Sequence, residues 1–248
     1  MAINKKLIHF KTKQNFNNEV AKGNILDTSI VFIKDSQEIH THGETYKAVN
    51  WSVLDLPKGV FIYDINGKYI LPSEWDTSRN NEAVGVAILG DNCKFVVAKE
   101  DATPSFVSWG GWGTEISTLT DYMNATTAAT DFDGVNNTSK IIAVIGNSND
   151  GYRDGSAAGD CAAYTFPNGK KGYLGAAGEW QVARQNKEAL NSALTLIGGT
   201  TMKEYIYWTS TERYSYEAWF QWFDSDSNLK NSSKHNNAHS YVRAFLAL

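Results

Sequence analysis

Residues 207–248 read YWTSTERYSYEAWFQWFDSDSNLKNSSKHNNAHSYVRAFLAL. Tyr207, Trp208, Ala218, Trp219, Phe223, Val242 and Arg243 make a rigid-looking frame. Between them lie Tyr, Ser, Asp, Asn, His and Arg in no fixed order. That composition is paratope-like: aromatic rings supply contact area, and small polar groups supply adaptable hydrogen bonds. Large aromatics flanked by Ala and Thr pack inside, so the frame holds a surface and the residues between do the recognising. Recognition is expected before catalysis.

Upstream of this tail, Gly178-Glu179-Trp180 opens a helix expected over Trp180 to Ile197. Trp180, Val182, Ala183, Leu190, Leu194 and Ile197 give its apolar stripe, and Gly198-Gly199 ends it. Two hairpins precede it, one turning at Asp64-Ile65-Asn66-Gly67 and one at Gly90-Asp91-Asn92. SWGGWG, residues 108–113, is a loop built around two tryptophans. Thr114 to Ala129 and Asn137 to Ile145 read as helical pieces, although Ile141 to Ile145 fits a buried strand equally. Residues 1–48 differ in character. Leu7 to Phe10 reads as a strand, Thr12 to Lys22 as a helix stopped by Gly23, Ile30 to Ile33 as a strand apolar on both faces, and Gln37 to His42 as another. This piece is too short to bury its own core. The chain is therefore α+β, with an N-terminal β/α assembly segment over residues 1–48 and one domain over 49–248.

Composition narrows the function classes. A net charge of -4 without a long basic run argues against nucleic-acid binding by phosphate neutralisation. No apolar run approaches the ~20 residues that span a bilayer, so no membrane insertion is expected. The segment MAINKKLIHFKTKQ has no apolar core of a secretory signal peptide, so synthesis in a cytoplasm is expected, with exit by another route such as cell lysis. The two cysteines, Cys93 and Cys161, lack zinc-like spacing. Two buried free thiols are the expected state and a single disulfide the alternative.

Candidate sites reduce to few. His40 and His42 project to one face of a strand, but a metal needs several convergent ligands, and a satisfied or exposed pair is the expected reading. Asp131, Asp133, Asn136 and Asn137 form an oxygen-rich turn. No cofactor is expected, with a structural calcium at that turn as the alternative. No Ser/His/Asp order, P-loop or GxGxxG is present, and His235 and His239 sit in an Asn/Ser-rich stretch unsuited to a helical zinc pair. An enzyme is not expected.

The order of Gly172-Tyr173-Leu174, Gly178-Glu179-Trp180, Tyr207-Trp208-Thr209-Ser210-Thr211-Glu212, Ala218-Trp219 and Tyr241-Val242-Arg243 resembles a C-type-lectin-like fold. It is most similar to the formylglycine-generating-enzyme-like branch, which includes the variable proteins of diversity-generating retroelements. DFDGVNNT (131–138) is similar to gut-bacterial and phage members, and KKLIHFKTKQNF with SIVFIKDSQEIHTHG resembles N-terminal segments of phage tail proteins. The resemblance implies short antiparallel strands, two main helices and long loops, with a variable region over about 207–248. It implies a homotrimeric receptor-binding protein of a phage virion, attached through residues 1–48 and binding a bacterial surface protein or glycan. A bacterial surface adhesin is the alternative. A formylglycine-generating oxidase is disfavoured, because that chemistry uses a C-terminal cysteine pair and none is present.

Retroelement mutagenesis acts at template adenines. An AAC or AAT codon randomised at its first two positions reaches Tyr, Ser, Asp, His, Arg, Phe, Leu, Ala and Asn, but not Trp, Gln, Glu, Lys or Met. Arg213, Tyr214, Ser215, Tyr216, Phe220, Asp224, Asp226, His235, Asn236, Asn237 and His239 are all reachable and form the expected ligand-binding set. Trp180, Trp208, Trp219, Val242 and Arg243 are the expected scaffold.

Overall fold

Apolar runs punctuated by glycine and asparagine turn at Asp64-Ile65-Asn66-Gly67 and at Gly90-Asp91-Asn92, and a helix ends at Gly198. In the computed structural model the described residues are 7–10, 12–25, 29–33, 38–41, 44–47, 58–146, 156–224, 229–235 and 240–248. The chain divides into two compact units, Met1–Pro57 and Lys58–Leu248. The sequence reading draws the boundary at 48/49, and residues 48–57 lie outside the described residues.

In the first unit, β1 (Leu7–Phe10) leads through α1 (Lys13–Ala21) to β2 (Ile30–Ile33), followed by β3 (Glu38–Thr41) and β4 (Glu44–Lys47). The sheet order is β1-β2-β3-β4. The β1–β2 pair is parallel and the others antiparallel. Thr12 caps α1 by accepting the Asn15 N–H, which satisfies an orphan donor of the first turn. Phe16 of α1 packs with Val31 and Ile33. β4 has no counterpart in the sequence reading, because a polar Glu-Thr-Tyr-Lys run carries no alternating apolar signal.

The second unit begins with β5 (Gly59–Asp64), β6 (Tyr69–Ile70), β7 (Ala83–Leu89) and β8 (Lys94–Ala98). Helices α2 (Ala125–Ala128), α3 (Gly134–Ile145) and α4 (Ala157–Ala163) follow, then β9 (Tyr173–Leu174), α5 (Ala177–Gln185) and α6 (Lys187–Leu196). The chain ends in β10 (Ile206–Tyr214), β11 (Glu217–Trp222), β12 (Leu229–Ser233), β13 (Ser240–Tyr241) and β14 (Ala244–Ala247). These strands make two sheets, ordered β6-β5-β7-β8-β14-β9 and β12-β11-β10-β13. The architecture is α+β, as expected.

Both expected hairpins form. At the first, the Asp64 carboxylate accepts the Asn66 and Lys68 N–H groups, both at 2.9 Å, an Asx-type turn. β14 then carries the last residues back to pair with β8, where Phe245 stacks on Phe95 at 4.5 Å. α6 packs on β5 and β7 of the larger sheet, and α5 packs on β10 and β11. Trp180, Leu190, Leu194 and Ile197 share one buried cluster with Val86, Ile88, Phe95 and Val97.

Two helix expectations are corrected. The single helix over Trp180–Ile197 is broken at Asn186, whose backbone leaves the helical region at φ -101° and ψ 16°. Its side chain donates to the Val182 carbonyl at 2.9 Å, and its own carbonyl accepts Leu190 N–H at 2.8 Å. Asn thus serves the end of one helix and the start of the next. The helix expected over Thr114–Ala129 shrinks to α2. Gly113 N–H and Tyr122 N–H donate instead to the Ser215 and Glu212 carbonyls of the C-terminal hairpin, while Thr114 and Leu119 N–H close local turns on Gly111 and Ile116, so the donors at both ends of the segment leave the local chain. α3, by contrast, starts one turn earlier than expected.

Close approach fixes one glycine. A Cβ on Gly85 in β7 would sit 2.3 Å from the Val97 carbonyl oxygen and 2.7 Å from Val96 Cγ1. Gly85→Ala is expected to cost about 1–3 kcal/mol by overpacking, measured by urea unfolding. Unchanged stability would show that β7 and β8 can separate freely.

Candidate functional site

The C-terminal hairpin is built from β10 and β11, paired antiparallel through Trp208 and Phe220. Its indoles are pinned from behind by the loop that precedes α2. Trp208 Nε1 donates to the Val107 carbonyl at 2.9 Å, Trp219 Nε1 to the Tyr122 carbonyl at 2.8 Å, and Trp109 Nε1 to the Thr209 carbonyl at 2.8 Å. Each of these three indole N–H groups therefore has the partner it needs, whereas Trp180 Nε1 and Trp222 Nε1 are buried without a hydrogen-bond partner among the described residues. Trp180 stacks on Tyr207 at 5.2 Å. Arg243 donates to Asp101 at 2.8 Å and to the Thr200 carbonyl at 2.7 Å. Trp180, Trp208, Trp219, Val242 and Arg243 are all buried.

The hairpin tip presents a different surface. Tyr216 is 46% exposed and Trp112 is 56% exposed. Their ring centroids lie 5.1 Å apart, and Trp112 lies 6.2 Å from exposed His235. Tyr214 is half-buried and 6.2 Å from Tyr216. The Arg213 guanidinium sits 5.3 Å from the Tyr214 ring and pairs with Glu217, which also accepts Asn231 Nδ2 at 2.6 Å. Ser215 is half-buried, and its carbonyl accepts Gly113 N–H at 3.0 Å.

The structure thus brings Arg213, Tyr214, Ser215, Tyr216 and His235 to one end. Trp112 joins them without having been placed there by the sequence reading. The run SWGGWG does not tell which indole is exposed: the same glycine pair lies between Trp112 and fully buried Trp109. Phe220 is a correction. It is 5% exposed and packs between Trp208 and Trp222, at 6.1 and 6.2 Å. β11 is covered on both faces, so strand alternation does not expose it. Asp224 is half-buried past the opposite end of β11 and lines a groove of about 620 Å³ with Arg184, Lys187 and Glu204. Its carbonyl accepts Arg184 Nη2 at 2.6 Å. Asp226, Asn236, Asn237 and His239 lie outside the described residues.

Beneath the tip lies a buried ion pair. Lys234 and Glu212 side chains are both 0% exposed and in contact. The ammonium also donates to the Thr114 carbonyl at 2.9 Å and lies 4.7 Å from the Trp109 ring. Burial raises the Glu212 pKa, opposed by Lys234, with Glu115 and Asp121 adding to the rise. Lys234→Ala leaves a buried carboxylate without its cation and is expected to cost about 3–5 kcal/mol. Lys234→Met with Glu212→Leu should recover most of that in denaturant melts. If it does not, the pair's surroundings matter more than its charges.

The oxygen-rich turn is knitted together by its own neighbours. Asp131 accepts Thr211 Oγ1 at 2.7 Å, Asn137 Nδ2 at 2.9 Å and Asp133 N–H at 3.1 Å. Asp133 accepts Asn136 Nδ2 at 2.6 Å. His40 lies 2.9 Å from Lys13 Nζ and its ring lies tilted against Phe16 at 4.3 Å, while His42 lies outside the described residues. Elsewhere, carboxylate oxygens of Glu115, Asp121 and Glu212 lie within 4.8 Å of one another.

Glu179 accepts Tyr173 Oη at 2.8 Å and Ala176 N–H at 2.7 Å. Burial pushes its pKa from 4.5 to about 7, opposed by those two donors and aided by Asp131 and Asp133. A raised folded pKa means that Glu179's stabilising contribution is complete below about pH 4.5 and is lost as pH rises through about 7. The loss across that window is about 3 kcal/mol. Glu179→Gln should flatten this part of the stability–pH curve in chemical melts. An unchanged slope would assign it to other groups.

Both cysteines are free. Burial pushes the Cys161 thiol well up and the Cys93 thiol to about 12, with Glu179 adding to the latter. Neither is a ready thiolate at neutral pH. Among the described residues no helix is long and apolar enough to cross a membrane.

No protein-family model and no curated protein matches the sequence. Among solved structures, a fimbrial protein from Bacteroides ovatus is similar, with a TM-score of 0.54 at 15% identity. The match covers 89% of this chain and 52% of that one, so this chain spans about half of its neighbour's length. That likeness is one of fold.

Proposed function

We propose that the protein is a recognition module whose ligand face is the hairpin tip: Arg213, Tyr214, Ser215, Tyr216 and His235, with Trp112 as an anchor from outside the tail. The observation that carries this reading is the exposed Trp112–Tyr216–His235 cluster set on a buried frame. Two exposed large aromatics in contact, rimmed by polar groups, mark an interaction site rather than scattered surface apolarity. The order of Gly178-Glu179-Trp180, Tyr207 to Glu212, Ala218-Trp219 and Tyr241-Val242-Arg243 supports a C-type-lectin-like fold of the diversity-generating retroelement kind. On that reading the partner is a bacterial surface protein or glycan, the protein is a homotrimer on a phage tail, and residues 1–48 attach it. Trimerisation would raise weak single-site affinity by avidity. High thiol pKa values support binding over oxidase chemistry.

A bacterial surface adhesin is the second reading, supported by the fold shared with the fimbrial protein. Both readings place the partner at the tip, and light scattering separates them, since only the first requires a trimer.

Labelled protein applied to a panel of bacterial strains tests the tip. Trp112→Ala with Tyr216→Ala should lower cell binding at least about 10-fold, as expected of paired aromatic hot spots, with Tm nearly unchanged. Phe220→Ala should instead cost about 3–5 kcal/mol of stability. Undiminished cell binding by the double variant would place the ligand face elsewhere.

A further inference from the structure

We propose that Ile145, the last residue of α3, is a positioning residue for Trp112. It props the glycine backbone that carries the indole and so fixes the anchor of the hairpin-tip face. Its effect on binding rests on the recognition reading above, whereas its hold on the indole does not.

The loop around Trp112 is fastened at its ends and loose between them. Trp109 and Gly110 N–H donate to the Lys234 carbonyl at 3.0 and 3.3 Å, and Gly113 N–H donates to the Ser215 carbonyl at 3.0 Å. Between those points, among the described residues, the backbone bond is a turn from Thr114 N–H to the Gly111 carbonyl at 2.9 Å. Gly110, Gly111 and Gly113 take positive φ, at 95°, 61° and 81°. Glycine leaves such conformations for negative φ at little cost, so a tryptophan set among them swings unless its backbone is blocked. The described ring contacts of Trp112 do not block it. They are with Tyr216 and His235, which are exposed as it is.

Ile145 supplies the block. A Cβ on Gly111 would lie 2.5 Å from Ile145 Cγ2 and 3.3 Å from its Cδ1, so the isoleucine closes on the bare face of the glycine. The wall behind that contact is firm. Asn137, Thr138 and Ile141 are the buried stripe of α3, and Ile145 is its next position, four residues on. Thr138 Oγ1 ties the helix to β9 by accepting Leu174 N–H at 3.0 Å. Gly146 N–H closes the helix end on the Ile142 carbonyl at 2.9 Å.

The placement gives the contact its task. Ile145 is half-buried at a helix end, where an apolar side chain adds little to the core. Its neighbour Gly111 precedes Trp112 directly, so losing the isoleucine frees the indole rather than opening the interior. An anchor held in place before contact spares binding the ordering of its side chain and loop.

The full chain is labelled with fluorotryptophan, and the Trp112 line among the eight tryptophans is assigned by its absence from Trp112→Phe. Ile145→Ala should shift and narrow that fluorine NMR line, as a freed ring does, while the other lines hold. Binding to strains that the parent recognises should fall about 3–10-fold, the effect of ordering one freed side chain and its loop. Ile145→Val keeps Cβ and Cγ2 and should match the parent in line and in binding. An unmoved Trp112 line in Ile145→Ala overturns the proposal. So does a moved line with undiminished binding while Trp112→Ala loses it, or an equal shift of all the lines, which marks general loosening. If Trp112→Ala itself binds cells like the parent, the recognition reading fails at that residue and the effect on binding fails with it, while the Trp112 line still decides whether Ile145 holds the indole.

Discussion

The hairpin depends on a lysine that has no access to water. Removing Lys234 and Glu212 from solvent costs several kcal/mol per ion before they attract each other, and only close geometry with further hydrogen bonds offsets that. The further bonds come from three separate stretches. Lys234 Nζ takes the Thr114 carbonyl, Lys234 N–H donates to the Tyr216 carbonyl, and the Lys234 carbonyl accepts Trp109 N–H. One residue after β12 therefore fixes the tip of β10–β11 against the loop that carries Trp112. A hydrophobic residue there would bury as well, but it would not fix that loop by charge.

A second fixed point closes the other end. Asp101 accepts Arg243 and Tyr207 and pairs with Lys203 at 2.8 Å. Arg243 is fully buried, so its guanidinium, which cannot shed its charge, is held by a carboxylate and by Thr200. Between these two points β10 runs nine residues, buried from Ile206 to Glu212 and half-buried only at Arg213 and Tyr214. Burial along β10 thus ends where the tip begins.

Much of this was legible in sequence. The hairpin turns, β1, β2 and β3 of the first unit and the helix stop at Gly198 follow from glycine, asparagine and apolar spacing, which act locally. What was not legible acts at a distance. Residues 114–124 read as helical, yet Tyr122 N–H and the carbonyls of Thr114 and Tyr122 find their partners about a hundred residues away. Asn186 breaks a continuous apolar stripe through hydrogen bonds that periodicity does not register. Trp112 is buried or exposed according to what lies opposite, and nothing in SWGGWG says what that is.

Phe220 is the most instructive of these. Codon reachability groups it with Tyr216 and His235, but that is a statement about nucleotides. Exposure is a statement about register and about what covers each face. In β11 four consecutive residues, Ala218 to Gln221, are buried, which an alternating strand with one open face cannot produce. Any residue placed at 220 must fill the space between Trp208 and Trp222, so size and apolarity constrain it even where the code would allow Asp or Asn. Among the described residues the ring contacts of Tyr216 are with Trp112 and Tyr214, and it is 46% exposed. Under the recognition reading, replaceable positions are therefore fewer than the reachable ones. They are confined to the tip, where a change of side chain alters contact with a partner and leaves the packing beneath it intact.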